Sequence, residues 1–111
     1  MELTRLSDHF ATTAQISVDD LDAIKAQGFK AIICARPDGE GEDQPDFAEI
    51  AAAADEIGLT ARYVPVDPTG ATEADHAAFE KAMEGLSGSV LGYCRTGKRA
   101  GMLWQALQPA N

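Results

Sequence analysis

The sequence predicts an α/β fold, with a parallel sheet of about four strands flanked by helices. Three observations carry that expectation. Lys30-Ala31-Ile32-Ile33-Cys34-Ala35 and Val90-Leu91-Gly92-Tyr93 are short, nearly continuous apolar runs, as expected of strands buried on both faces. Between the strand-like runs lie amphipathic stretches with capping residues at their starts and glycine at their ends. Strands that alternate with helices favour right-handed crossovers, and hence parallel strands covered on both sides.

Residues 2–15 alternate weakly around Ser7-Asp8-His9 and read as one or two short strands. Ser17 with Asp20 forms a capping pair, and Val18, Leu21 and Ile24 give a helical stripe that stops at Gly28. Residues 37–46, rich in Gly, Pro and acid, form the clearest loop, and its acidic part, 38–46, reads as a solvated excursion without calcium-loop spacing. Asp46 with Glu49 is expected to cap a second helix, whose face is Phe47, Ile50, Ala51, Ala54 and Ile57 and whose end is Gly58. Thr60 to Val66 reads as a strand and Asp67-Pro68-Thr69-Gly70 as a turn. Thr72 with Asp75 caps a third helix carrying Phe79, Ala82, Met83 and Leu86, and Ser87-Gly88 ends it. His76 on that helix reads as a partly buried surface histidine. Met102, Leu103 and Trp104 are expected to anchor a last helix to the core.

At 111 residues the chain is read as one domain, 1–111. Its net charge of −9 argues against nucleic acid and anionic membrane surfaces as partners. No run approaches the ~20 apolar residues of a membrane span. Met-Glu-Leu-Thr-Arg lacks the pattern of a secretory signal, and two cysteines in such a chain point to a reducing cytoplasm. No metal or cofactor is expected.

Cations are scarce here, so their clustering after Cys94 matters. Cys94-Arg95-Thr96-Gly97-Lys98-Arg99-Ala100 joins the last strand to the last helix. A thiol there faces loop amides, a helix N-terminus and cations, all of which favour the thiolate. The plain alternative is a buried packing cysteine. A phosphate-binding loop for nucleotide hydrolysis also fits the Gly92…Gly97-Lys98 spacing, but Arg99 stands where a Ser or Thr should hold magnesium. A cysteine-phosphatase loop would place its arginine six positions after the cysteine, where this chain has Ala100. Arg99 comes one step early, and Tyr93 stands in place of the usual histidine. The segment strongly resembles the Cys-Arg-Ser-Gly-x-Arg-Ser/Ala loop of rhodanese-type sulfurtransferases, in which the cysteine carries sulfane sulfur. Both chemistries need a low-pKa thiolate ringed by amides with cationic help. Arg99 is expected to bind an oxyanion, Thr96 and Gly97 to supply amides, and Arg95, Lys98 and Arg36 to contribute further charge.

Gln15, Ile-Ile-Cys-Ala-Arg-Pro-Asp-Gly-Glu at 32–40, Tyr-Val-Pro-Val at 63–66 and Tyr-Cys-Arg-Thr-Gly-Lys-Arg-Ala-Gly-Met-Leu-Trp at 93–104 together resemble one bacterial family. This is the beta-lactamase-hydrolase-like phosphatase domain family, also labelled sulfur transferases. The resemblance implies a protein-tyrosine-phosphatase-like fold of the dual-specificity type. It also implies a sulfur-oxidising, metallo-beta-lactamase-like partner, fused or separate. Asp67 falls where a phosphatase keeps its general acid, although an aspartate before Pro68 is also ordinary turn chemistry. The preferred expectation is a Cys94 persulfide sulfurtransferase acting on a small anionic donor, with phosphate-ester hydrolysis through phosphocysteine as the alternative. A non-catalytic redox or anion-binding module, with Cys34 as a resolving thiol for Cys94, is the further alternative.

Overall fold

The computed structural model describes residues 1–108. The sheet has five strands: β1 (Thr4–Arg5), β2 (Phe10–Thr13), β3 (Phe29–Cys34), β4 (Thr60–Tyr63) and β5 (Ser89–Tyr93). Their order is β1-β2-β5-β3-β4, with β1 antiparallel to β2 and every other pairing parallel. The expectation of an α/β fold with a mostly parallel sheet therefore holds. The added strand is the weakly alternating N-terminal segment, folded back as a hairpin edge. Among the described residues, no helix is long and apolar enough to cross a membrane.

Alternation along the strands divides the core in two. Ala11, Ile32, Cys34, Leu91 and Tyr93 pack on one face with Leu21 and Ile24 of α1 (Leu21–Ala26) and Ile50 and Ala54 of α2 (Phe47–Glu56). Phe10, Ala31, Ile33, Val90 and Cys94 pack on the other with Phe79 of α3 (Glu73–Glu84) and Ala100 and Leu103 of α4 (Lys98–Leu107). Strands covered on both faces need the unbroken apolar runs that the sequence supplies.

The expected capping signals are only partly used. Thr72 and Asp75 form the reciprocal box at α3, with Asp75 N donating to Thr72 Oγ1 at 3.1 Å and Thr72 N to Asp75 Oδ2 at 2.9 Å. At α2, Asp46 occupies the N-cap position but its side chain makes no cap bond; Phe47 N donates instead to Asp38 Oδ1 at 2.7 Å. The loop thus supplies the cap from nine residues upstream and ties itself to the helix. The strand expected over 60–66 is in ladder register to Tyr63, and beyond it Val64 N still donates to Cys34 O at 2.9 Å and Val66 N to Ala35 O at 3.0 Å, both valines being buried. Leu103 is an anchor, and Trp104 stacks on Phe10 with centroids 4.7 Å apart, but Met102 is 52% exposed.

Gly92 explains how closely α4 lies on the sheet. A Cβ there would stand 2.8 Å from Phe10 Cζ and 3.1 Å from Ala100 Cβ. The carboxyl ends of β5, β3 and β4 consequently deliver Cys94, Arg36 and the Val66–Asp67 corner to one end of the sheet, the expected ligand edge of an open parallel sheet.

Candidate active site

The turn from β5 into α4 determines the setting of Cys94. Gly97 is the N-cap of α4 with φ +96°, in the left-handed region. An L-residue there would be strained, and its Cβ would meet Thr13 O at 3.2 Å. This reversal aims the Gly97 amide back at Cys94, where it donates to Sγ at 3.1 Å. Cys94 itself is 1% exposed. Lys98 N donates to Thr96 Oγ1 at 3.3 Å, whereas the amides of Arg95, Thr96, Arg99 and Ala100 meet no hydrogen-bonding acceptor among the described residues. An amide on the sulfur at a helix N-terminus is the environment that stabilises a thiolate.

Arg99 leaves the first turn of α4 and reaches the other two strand ends. Its Nη1 donates to Val66 O and to Glu40 Oε2, both at 2.8 Å, and its Nη2 donates to Glu40 Oε1 at 2.7 Å. Glu40 also accepts from Arg36 Nε at 2.9 Å. Arg36 is buried, and its Nη1 donates to Gln15 Oε1 at 3.1 Å. The backbone N–H of Gln15 in turn donates to Arg95 O at 3.4 Å. Five segments are therefore tied around one carboxylate: the β2 end, the β3 end, the 37–46 loop, the β4 end and the Cys94 loop.

The bidentate bond from Arg99, reinforced by Arg36, holds the Glu40 carboxyl at about 2, well below the usual carboxylate range. Glu40 corrects the reading of residues 38–46 as a solvated excursion. The loop is also fastened by Gln44, which donates to Pro37 O at 2.9 Å and accepts from Gly41 N at 2.7 Å. Charge counting along the sequence could not distinguish Glu40 from Glu42 or Asp43, since only the fold selects the carboxylate that faces the arginines. The i, i+4 spacing of Arg36 and Glu40 was the one available signal, and outside a helix it carries little weight.

The remaining candidates divide clearly. Arg95, Thr96 and Lys98 are exposed at the loop surface, while Ala100 is buried beneath it. A hollow of about 300 Å³ is lined by Arg36, Glu40, Gly41, Pro68, Arg95 and Arg99, so three of the four candidate cations share one space. Asp67 lies at the edge of this region, next to Pro68 of its lining. It is exposed, and Oδ1 accepts from Thr69 Oγ1 at 2.7 Å and Thr69 N at 2.9 Å. Those bonds lower its pKa, whereas an acid that donates a proton near neutrality needs the opposite shift.

Cys34 ends the neighbouring strand but belongs to the α1/α2 core, across the sheet from Cys94. Its Sγ lies 3.3 Å from Arg36 O, as donor to that carbonyl, and burial pushes the thiol pKa up. Both cysteines are free. A disulfide requires converging Cβ vectors, and the two thiols pack in different cores. The described residues contain no cluster of metal-ligating side chains.

Comparison with known proteins agrees with this architecture. The family described as "Beta-lactamase hydrolase-like protein, phosphatase-like domain" matches residues 2–111. A beta-lactamase hydrolase-like protein of Xylella fastidiosa is 38% identical over 104 residues, covering 94% of this chain and 24% of the relative. The chain thus spans about a quarter of the length of the curated relatives it matches. A Neisseria meningitidis structure labelled a phosphatase superposes with a TM-score of 0.84 at 34% identity, over 98% of this chain and 81% of that one. A mutant form of Tk-PTP matches with a TM-score of 0.70 at 19% identity over 95% of this chain and 69% of its own, a likeness of fold alone.

Proposed function

Since the chain belongs to the phosphatase-like domain family of the beta-lactamase hydrolase-like proteins, we propose that it hydrolyses phosphate monoesters with good leaving groups through a phosphocysteine on Cys94. The observation that carries this reading is the Gly97 amide on Cys94 Sγ at the start of α4, with Arg99 fixed one turn away. The family's phosphatase character and its phosphatase-labelled structural relative favour phosphorus over sulfur, and the sulfurtransferase expectation yields to the hydrolase.

In this mechanism the Cys94 thiolate attacks phosphorus, and the ester P–O bond breaks with its electron pair going to the departing oxygen. Water then attacks the phosphocysteine, the S–P bond breaks, and inorganic phosphate leaves with the thiolate restored. The free amides of Arg95, Thr96, Arg99 and Ala100 are the donors for the equatorial oxygens, where charge concentrates in the transition state. Glu40 is a positioning residue: it holds the Arg99 guanidinium at the rim, with Arg36 behind it. With Asp67 committed to Thr69, no raised carboxyl waits to protonate the leaving oxygen. Esters of acidic phenols are therefore favoured over alkyl esters.

That lack of a poised acid also favours a second reading, together with Arg99 standing five positions after Cys94. In sulfur transfer the thiolate attacks the outer sulfur of thiosulfate, the S–S bond breaks, and sulfite leaves without needing a proton. A sulfur-oxidising metallo-beta-lactamase-like partner would then receive the persulfide sulfur. One pair of assays separates the two. Phosphate release from an aryl phosphate that Cys94→Ser abolishes is the expected result. No hydrolysis, alongside a thiosulfate-dependent mass gain of one sulfur that cyanide removes, overturns the phosphatase reading.

A further inference from the structure

Beside the cationic hollow runs a groove of about 190 Å³. Its walls are Val66, Pro68 and Ala71 from the segment after β4, with Thr69 and Gly70 between them, and Lys98, Arg99 and Met102 from the start of α4. Pro68 and Arg99 line both spaces, so the groove adjoins the hollow at those two residues, with the apolar walls on one side and the charges on the other. We infer that the groove receives the apolar body of the substrate, a single aromatic ring or an alkyl group of similar bulk, while its anionic group occupies the Arg99 end. This inference rests on the proposed anion chemistry at Cys94 and adds to it the class of substrate.

Several features select that occupant. Met102 is 52% exposed although its neighbour Leu103 is buried. A lone exposed apolar side chain means little, but Met102 continues a wall already made by Val66, Pro68 and Ala71. A sugar or peptide body would leave its hydroxyls and amides unpaired against those side chains, which disfavours them strongly. An apolar cavity of roughly 150 Å³ accepts benzene, so this volume fits one ring rather than a nucleoside. The Lys98 and Arg99 charges at the rim complement an anionic head attached to such a body. The wall is also built before any ligand arrives. Gly70 N donates to Asp67 O at 3.0 Å, and Thr69 closes on Asp67 Oδ1 through two bonds, so little ordering remains to be done on binding.

The test uses two probe pairs, each setting a one-ring apolar group against a methyl group, with different headgroups in the two pairs. Benzylphosphonate and methylphosphonate are titrated calorimetrically into the Cys94→Ser protein. Benzenethiosulfonate and methanethiosulfonate are compared for the rate at which they convert native Cys94 to its persulfide, normalised to free cysteine; in each case the S–S bond breaks and a sulfinate leaves. The aryl member is expected to be preferred by about tenfold or more. Met102→Asp, and independently Ala71→Trp, which fills the groove, should bring that ratio close to one. If only the thiosulfonate pair shows the preference, the phosphatase reading fails and the groove stands. If neither pair prefers the aryl member, or if the preference survives both substitutions, the inference is overturned.

Discussion

Cys34 and Cys94 close adjacent parallel strands, each is at most 3% exposed, and the backbone around their sulfurs differs. After β5 the chain turns through a left-handed glycine and starts a helix, so an amide donates to the Cys94 sulfur. After β3 it runs into Arg36-Pro37, and the Cys34 thiol faces the Arg36 carbonyl instead. An N–H on the sulfur at a helix start favours a thiolate, whereas burial pushes the Cys34 thiol up. Both are buried, so exposure alone does not separate them. What separates them is the helix start and the Gly97 amide that follow Cys94 and have no counterpart after Cys34.

The largest expected effect tests this contrast directly. Cys94→Ser should lower aryl phosphate turnover by roughly 10³-fold or more, because the attacking group is lost. Cys34→Ala should leave kcat within about twofold and cost on the order of 1 kcal/mol in denaturant unfolding, through the small cavity it leaves. Equal losses of activity in the two variants would show that the strand ends work as a pair. Glu40→Gln comes next. With Arg99 no longer held by a carboxylate, kcat/KM should fall roughly tenfold or more, as expected when a binding group is mispositioned.

Glu40 also gives this region a pH signature. Its carboxyl titrates at about 2 in the fold, held down first by Arg99, against 4.5 for an unperturbed glutamate. A depressed carboxyl contributes stability that is fully present above the unfolded value and is lost as pH falls towards the folded one. Urea midpoints should therefore decline between about pH 4.5 and 2, and the decline should be shallower in Glu40→Gln, whose amide does not titrate. Parallel curves for the two proteins would place the acid sensitivity elsewhere. The next effect is smaller. Gly97→Ala forces a Cβ onto a φ of +96° and towards Thr13 O, at a cost of about 1–2 kcal/mol. The loop should relax away from Sγ and slow iodoacetamide alkylation of Cys94, while alkylation of Cys34 in the unfolded protein stays unchanged.

The sheet was largely legible because its strands are short apolar runs bounded by capping residues and glycines, and Cys94 was legible because its neighbours in sequence are its neighbours in space. Glu40 was not. It meets Arg99 across 59 residues, and one acidic residue among several in a polar loop carries no mark of facing inward. Gln15 was visible only through the family resemblance, and its link between Arg36 and the Cys94 loop is a long-range contact that the sequence does not mark. Asp46 and Met102 show the reverse failure: a valid local signal, for a cap and for a core face, was overridden by tertiary geometry. Local rules name candidates, and long-range contacts choose among them.

Asp67 carries the smallest expected effect and the sharpest mechanistic content. Its place in sequence suggests a general acid, yet its oxygen is bound to Thr69 and its pKa is lowered. A carboxylate already ionised at neutral pH has no proton for the leaving group. Asp67→Asn should therefore change aryl phosphate turnover by less than about twofold, because a phenolate departs unaided. The same substitution should leave the dependence of rate on leaving-group pKa as steep as in the parent. A proton donor would flatten that dependence in the parent, and its loss would steepen it. A selective loss for alkyl phosphates in Asp67→Asn would show that the loop after β4 rearranges on binding, freeing Asp67 from Thr69 and raising its pKa beside the departing oxygen. An unchanged slope would leave the chemistry to the Cys94 thiolate, the loop amides and the Arg99 clamp.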